Sequence, residues 1–532
     1  MKFLNKIYGF LSSPFQKNLG FFLFLFLLAS SVNFFNRLYY NGISSGIFWS
    51  LFGYVECYLL CLLLPLLNDS VRRMYKGLLI TFGLLNFIVD FVVSMISTNS
   101  GFNEFVGLIL GTNLNEIYEF IQHYISYQMI VLMILCCIVI WGIFHLLRRI
   151  KVNRYVTIVN LLILIAAIPL VLKDTWGHSK NIFVGKLYTI VKEYNKNNHE
   201  LRDYYSNPQL VIRKELPQNI VVVIGESFAR DFSSLYGYDK PTNPKLSQLP
   251  DSSLVLYKNV TSGDVSTVEN LEYIMSTFSH ENCKKEWYEC QTLIEILSTL
   301  NYRTYWISNQ AKVGLWDNIP AKYGFLCDST LFVGPQNGFN TSATFDENVI
   351  LPTRNIMSND TTRKALFVHL IGSHPGFQQR YPKDRAVFKG VDYPDYALNQ
   401  RDVIAHYDNS LVYNDSVVNE IFNIGRDKEA VFFYFSDHGL DIYKVDSEYV
   451  GHGRRGNQKS EEIAKRIPFM IYATPLYQQK FPGEMKRMYE SVDNEFVTEN
   501  FIYSLMDLMG VRFEENDDVK KYSLFRNSVS EN

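Results

Sequence analysis

Residues 219–230 read Asn-Ile-Val-Val-Val-Ile-Gly-Glu-Ser-Phe-Ala-Arg. Ile220 to Ile224 form an unbroken run of β-branched apolar residues that stops at Gly225. A run without polar alternation predicts a strand buried on both faces, central in a parallel sheet. Gly225 turns the chain and presents Glu226 and Ser227. Open α/β sheets bind ligands outside the carboxyl ends of their strands. Glu226 therefore stands where a carboxylate holds a metal or orients a nucleophile; a solvent-facing Glu is the plainer alternative. A second run bears on the choice. Residues 431–439 read Val-Phe-Phe-Tyr-Phe-Ser-Asp-His-Gly, another apolar strand, which delivers Asp437 and His438 into its turn. Two carboxylates and an imidazole suit a catalytic Zn²⁺ site, with Mn²⁺ the alternative. A nucleophilic hydroxyl belongs nearby, and Ser227, Ser266 and Thr267 are the candidates.

With 532 residues the chain exceeds one ordinary domain. Its 51 Lys plus Arg nearly balance 53 Asp plus Glu, which gives no electrostatic footprint for nucleic acid. Apolar residues crowd before about residue 175 and charge follows after it, so a membrane half precedes a soluble half. Five apolar segments, 18–36, 46–67, 77–97, 125–147 and 155–172, are long enough to be expected as spans. A cleaved signal peptide would account for the first alone, but four more follow and no small-residue cleavage site is evident. Lys2, Lys6 and Lys17 precede the first span. Arg72, Arg73 and Lys76 lie in one loop, and Arg148, Arg149, Lys151 and Arg154 in another. The intervening 37–45 loop has only Arg37, and 98–124 has no Lys or Arg. The positive-inside rule then places the N-terminus in the cytoplasm and everything after residue 173 outside. The 98–124 loop is too polar to span and amphipathic enough to lie on the outer leaflet. Its Asn113 and Glu116 are candidate lipid head-group contacts, with an ordinary solvated loop as the alternative.

The expected domains are a transmembrane unit at 1–172, a juxtamembrane linker at 173–215 with an interfacial helix near 182–196, and a soluble domain at 216–532. In the last, strand-like runs at 303–307, 365–371 and 431–435 alternate with helical stretches near 243–248, 267–278, 291–300, 401–424 and 494–509. That alternation predicts an α/β domain with a largely parallel sheet covered on both faces. Cys57, Cys61, Cys136 and Cys137 fall in spans and act as small apolar residues. Cys283, Cys290 and Cys327 fall in the outer domain, where disulfides are permitted; Cys283 and Cys290 are close enough in sequence to close a small loop.

Residues 261–276 place a Ser/Thr-rich turn before a helix with Leu271, Ile274 and Met275 facing inward. Thr267 then sits at or near the helix N-terminus, which favours an anion such as a phosphoryl group. A hydroxyl ligated to Zn²⁺ ionises near neutral pH and attacks phosphorus. An ordinary N-cap is the simpler reading of Ser266 or Thr267.

The ordered series of motifs is more specific than any one of them. Five apolar segments precede Gly225-Glu226-Ser227 with Arg230, then Leu235-Tyr236-Gly237-Tyr238 and Thr242-Asn243-Pro244. Ser266-Thr267, Tyr305-Trp306-Ile307-Ser308-Asn309-Gln310 and Phe345-Asp346-Glu347 come next. The series continues with His369-Leu370-Ile371-Gly372-Ser373-His374 and Arg380-Tyr381-Pro382, and closes with Tyr407-Asp408-Asn409-Ser410 and Ser436-Asp437-His438-Gly439. Over nearly its whole length the chain resembles the membrane-bound phosphoethanolamine transferases of Gram-negative bacteria, in the sulfatase-like branch of the alkaline-phosphatase superfamily. The resemblance implies Glu226, Asp437 and His438 as metal ligands. It implies Thr267 as nucleophile and fourth ligand, with Ser266 the alternative register, and His374 and His452 at the substrate. It implies Zn²⁺, a phosphatidylethanolamine donor and a lipopolysaccharide-type acceptor (lipid A or a core sugar). It also implies a multi-pass inner-membrane protein whose sulfatase-like catalytic domain faces the periplasm. Many members carry a disulfide beside the nucleophile, at positions held here by Ser262 and Tyr273. The run 263–267, the order His374-Pro375-Gly376 and Leu440-Asp441-Ile442 depart from the usual pattern as well.

Other functions suit the same constellation. Phosphoglycerol transfer, or hydrolysis of phosphate or sulfate esters, uses similar site chemistry. Hydrolysis has no need of five spans, and no Cys-x-Pro-x-Arg sulfatase motif is present. A non-catalytic membrane scaffold predicts loss of ligand residues, yet Glu226, Thr267, Asp437 and His438 are all there.

Overall fold

The computed structural model describes residues 2–41, 43–96, 127–147, 152–173, 201–281, 285–310, 319–334, 344–358, 362–445, 447, 449–452, 457–514 and 518–526. These form two compact units, one of helices before residue 174 and one from Leu201 onward. Asn113, Glu116, Cys283 and the helix expected near 182–196 lie outside the described residues.

The first unit has four helices long and apolar enough to cross a membrane: Asn5–Asn36, Ile43–Leu66, Asp69–Val92 and Tyr127–Leu146. Four of the five expected spans are among these, and the last expected segment is shorter by this measure. The chain is helical over Arg154–Lys173, but Pro169 lies inside that helix and the apolar segment is only Arg154–Pro169. At ~1.5 Å per residue this reaches about 24 Å, short of a ~30 Å hydrocarbon core. The first span also starts earlier than the expected residue 18. Phe15 is fully buried against Phe22 and Tyr58, at ring distances of 5.2 and 5.4 Å, and draws the preceding turns into the unit. The helix kinks at Asn18, whose side-chain oxygen accepts from Lys76 Nζ at 2.8 Å.

The second unit is built on seven strands: β1 (Asn219–Gly225), β2 (Leu254–Tyr257), β3 (Arg303–Ser308), β4 (Ser329–Phe332), β5 (Lys364–His369), β6 (Ala430–Ser436) and β7 (Phe469–Ala473). Their order is β2-β7-β6-β1-β5-β3-β4. Only β7 runs against its neighbours, so the sheet is mixed but mostly parallel. Every residue of β1 and β6 is buried, as their unbroken apolar runs require. Side chains alternate between two cores. Ile220, Val222, Ile224, Trp306 and Phe433 face the core beneath helix Thr267–Ile274. Val221, Val223, Leu366, Phe432 and Tyr434 face the core beneath the long helix Leu398–Ile424. The helix expected near 243–248 is only a 3₁₀ turn, Leu246–Gln248. Cys290 and Cys327 are buried and do not pair with each other.

Trp306 is fully buried in one core and stacks on Phe367, yet its indole N–H has no partner. Trp306→Ala is expected to cost about 3–5 kcal/mol. Trp306→Phe should cost far less because no hydrogen bond is lost. Urea unfolding of the soluble domain followed by near-ultraviolet circular dichroism measures both.

Candidate active site

Adjacent parallel strands bring the ligands together. Gly225 pairs with Ser436 at the carboxyl ends of β1 and β6, so Glu226 and Asp437 emerge side by side. His438 follows Asp437 directly. Acidic and imidazole ligand atoms of Glu226, Asp437 and His438 all lie within 4.8 Å of one another, and the three side chains are at most 1% exposed. His438 Nε2 is 3.2 Å from Glu226 Oε1 and 3.6 Å from Asp437 Oδ2. His438 Nδ1 lies 2.8 Å from the Gly439 carbonyl. A proton there leaves Nε2 as a lone-pair donor toward the cluster. Asp437 Oδ1 accepts from the backbone N–H groups of His438 and Ser227. Its Oδ2 is buried with no hydrogen-bond partner. An orphaned carboxylate oxygen between a second carboxylate and an imidazole fits a divalent cation, which would satisfy all three.

The electrostatics agree. Burial disfavours charge at Glu226, but His438 outweighs it and holds this carboxyl well below the usual range. At Asp437 burial and the neighbouring Glu226 prevail, pushing the carboxyl up to about 8. Burial at His438 is overcome by Asp437 and Glu226, which raise the imidazole to about 10. Without a metal, protons supply the positive charge that this cluster demands.

Thr267, the first residue of its helix, turns its hydroxyl into the cluster. Oγ1 donates to Glu226 Oε2 at 2.9 Å and lies 3.3 Å from His438 Nε2. Ser266 occupies the N-cap position and its hydroxyl is engaged by Glu269 instead. Ser227 is fully buried, and its Oγ donates to Glu226 Oε1 at 2.6 Å. It orients the carboxylate and offers substrate no surface. His452 is half-buried with its ring 4.5 Å from that of His438. Its Nδ1 lies 3.0 Å from the Val265 carbonyl, and burial with the neighbouring His438 charge pushes it down to about 3. His374 is half-buried on the loop after β5, with Nδ1 3.3 Å from the Pro375 carbonyl.

Residues 218–511 match the sulfatase family. The chain belongs to that family. It is 27% identical over 311 residues to phosphoethanolamine transferase EptC of Escherichia coli O18:K1:H7, covering 57% of this chain and 53% of that protein. The chain thus spans about half the length of such curated relatives. The fold is similar to the zinc complex of the C-terminal periplasmic domain of EcEptC from E. coli, with a TM-score of 0.55 at 23% identity, covering 61% of this chain and 91% of that one. It is also similar to the integral membrane lipooligosaccharide phosphoethanolamine transferase A of Neisseria meningitidis, with a TM-score of 0.65 at 17% identity over 95% and 97% of the two chains.

Several residues of the motif series take a place around this sulfatase-family centre that the sequence reading did not assign them. Gln310 Nε2 donates to Glu226 Oε2 at 3.3 Å and to the Leu370 carbonyl at 3.2 Å. Buried Asp346 accepts the backbone N–H groups of Ile371 and Gly372, each at 2.9 Å, and fixes the loop that leads to His374. Arg380 closes the same loop on the carbonyls of His374 and Pro375. Gly372 has φ +51°, and a Cβ there would stand 2.6 Å from the Glu226 carbonyl oxygen.

Two outcomes follow from this geometry. Gly372→Ala would shift the Glu226 turn and is expected to weaken zinc binding by about 10- to 100-fold, as loss of ligand support does; metal-competition titration reads it. Zinc must displace the protons held at His438 and Asp437, so apparent affinity should keep rising with pH through about 8 and on toward about 10, with net proton release. Calorimetry in buffers of different ionisation enthalpy measures both the slope and the released protons.

Proposed function

We propose that this protein transfers phosphoethanolamine from phosphatidylethanolamine to a lipopolysaccharide-type acceptor, a lipid A phosphate or core sugar. The observation that carries the reading is the hydroxyl of Thr267 set against Glu226 and His438 in a buried acidic cluster. Its relatives support the donor group by their names, and the Neisseria protein is named for a lipooligosaccharide.

Glu226, Asp437, His438 and Thr267 would hold Zn²⁺, the ion in the related EcEptC structure. When bound, it supplies positive charge that favours the ionised threonine and offsets charge on the phosphoryl oxygens. Thr267 Oγ1 forms a bond to phosphorus as the bond to the diacylglycerol oxygen breaks, leaving phosphoethanolamine on the threonine. The departing alkoxide takes up a proton, balancing the one that Thr267 Oγ1 gives up. An acceptor hydroxyl or phosphate then attacks the same phosphorus, transfers the group and frees Thr267. His374 and His452 are assigned to the phosphoryl oxygens and to these proton movements. With its Nδ1 proton on the Val265 carbonyl, His452 meets substrate through Nε2. Asn113 and Glu116 are assigned to the donor's head group.

Domain boundaries at 1–172, 173–215 and 216–532 belong to this reading, as does a fifth membrane crossing by Arg154–Lys173. An odd number of crossings from a cytoplasmic N-terminus puts the catalytic domain in the periplasm, beside a diacyl donor that does not readily leave the bilayer.

Intact-mass measurement after incubation with phosphatidylethanolamine and zinc tests the mechanism. A phosphoethanolamine-sized adduct mapped to Thr267 is expected, absent in Thr267→Ala, with transfer down by at least about a thousandfold. An adduct on Ser266 would overturn the nucleophile. Labelling only from phosphatidylglycerol would make the protein a phosphoglycerol transferase.

A further inference from the structure

The hydroxyl at position 267 must be aimed, and its own helix is too short to aim it. Thr267–Ile274 is eight residues long, well under the ~12–15 at which an isolated helix becomes even marginally stable. The turn that leads into it, residues 262–266, has no regular structure of its own. Something outside both must fix them.

Asn270 lies one turn into the helix and is fully buried. Its Oδ1 accepts the backbone N–H of Asp264 at 2.9 Å. Its Nδ2 donates to the carbonyls of Asp264 at 2.8 Å and Ser266 at 2.9 Å. The amide thus closes on both sides of the turn that presents Thr267. Two further groups complete the brace. Lys465 Nζ donates to the Gly263 carbonyl at 3.0 Å, and the Lys465 carbonyl accepts from Ser262 N–H at 2.9 Å. Ser262 Oγ donates to the Asp264 carbonyl at 2.6 Å. The Val265 carbonyl, between these anchors, faces His452 Nδ1. Four successive carbonyls, 263 to 266, therefore each have a named side-chain partner. The packing is equally tight: a Cβ on Gly263 would lie 3.1 Å from the Tyr273 ring.

Resting on the reading of Thr267 as nucleophile, we propose that Asn270, seconded by Lys465, is a positioning residue for the transfer reaction. It sets the turn from which Thr267 faces the acidic cluster and from which the Val265 carbonyl orients His452. It touches none of Glu226, Asp437 or His438 in the interactions described above, so its loss should leave metal binding intact while misplacing the hydroxyl. Displacements of about 1 Å at a reacting group cost on the order of 100-fold in rate.

The test uses the full-length protein in proteoliposomes containing phosphatidylethanolamine, zinc-loaded. Asn270→Leu keeps the volume and removes all three hydrogen bonds. Its adduct formation on Thr267 and its kcat should fall about 100-fold, with KM for the donor and bound zinc unchanged. Hydrogen exchange in peptides covering 262–270 should accelerate. Lys465→Met, at a half-buried site where folding is not at stake, should show the same pattern more weakly, and Lys465→Arg should restore most of kcat. Faster exchange with wild-type adduct formation would overturn the proposal, because the brace would then be structural only. Loss of zinc or a rise in KM matching the fall in kcat would overturn it as well. Wild-type protein that forms no adduct on Thr267 would instead overturn the nucleophile assignment itself.

Discussion

Glu226 and Asp437 are forced together because the strands that carry them are hydrogen-bonded neighbours ending at the same level. Two carboxylates in a dry site repel strongly, since little water is present to screen them. The surrounding sulfatase-family fold absorbs that repulsion. His438 sits between them, Ser227 donates its hydroxyl to one, and backbone N–H groups from Ser227 and His438 neutralise one oxygen of the other. The oxygen left over is the strongest sign in the structure that the arrangement is completed by a cation.

The loops around this pair are held by long-range polar contacts. Asp346, from a segment before β5, fixes the loop after it; Arg380 then closes that loop on itself. At the nucleophile turn, Ser262 and Tyr273 stand where the resemblance implies a disulfide in many relatives. Here a hydrogen-bonded brace through Asn270 and Lys465 occupies the same region. Such a brace depends on burial, whereas a disulfide depends on the redox state of the compartment.

The strands and metal ligands were legible in the sequence for one reason. A fully buried parallel strand is an unbroken apolar run, and the candidate ligands Glu226, Asp437 and His438 follow directly where such runs end. The register of the proposed nucleophile was less legible, because Ser266 and Thr267 are adjacent hydroxyls at a helix start. In the structure Ser266 is engaged by Glu269, while the Thr267 hydroxyl turns toward Glu226. The last apolar helix read as a full span by composition, while Pro169 shortens its apolar segment. Asn270, Gln310 and Asp346 escaped notice as site residues because their partners, apart from the turn beside Asn270, lie tens of residues away, where spacing carries no signal.

Tyr407 belongs to the long helix on the sheet face opposite Thr267, yet its hydroxyl donates to the Ser227 carbonyl and accepts from the Ala229 N–H. The turn bearing Glu226 is thereby pinned from behind. Ser227, held at φ 59° in a conformation costly for a side-chain-bearing residue, relies on that pin. The Glu226 turn is thus held by an element of the opposite core as well as by its own strand.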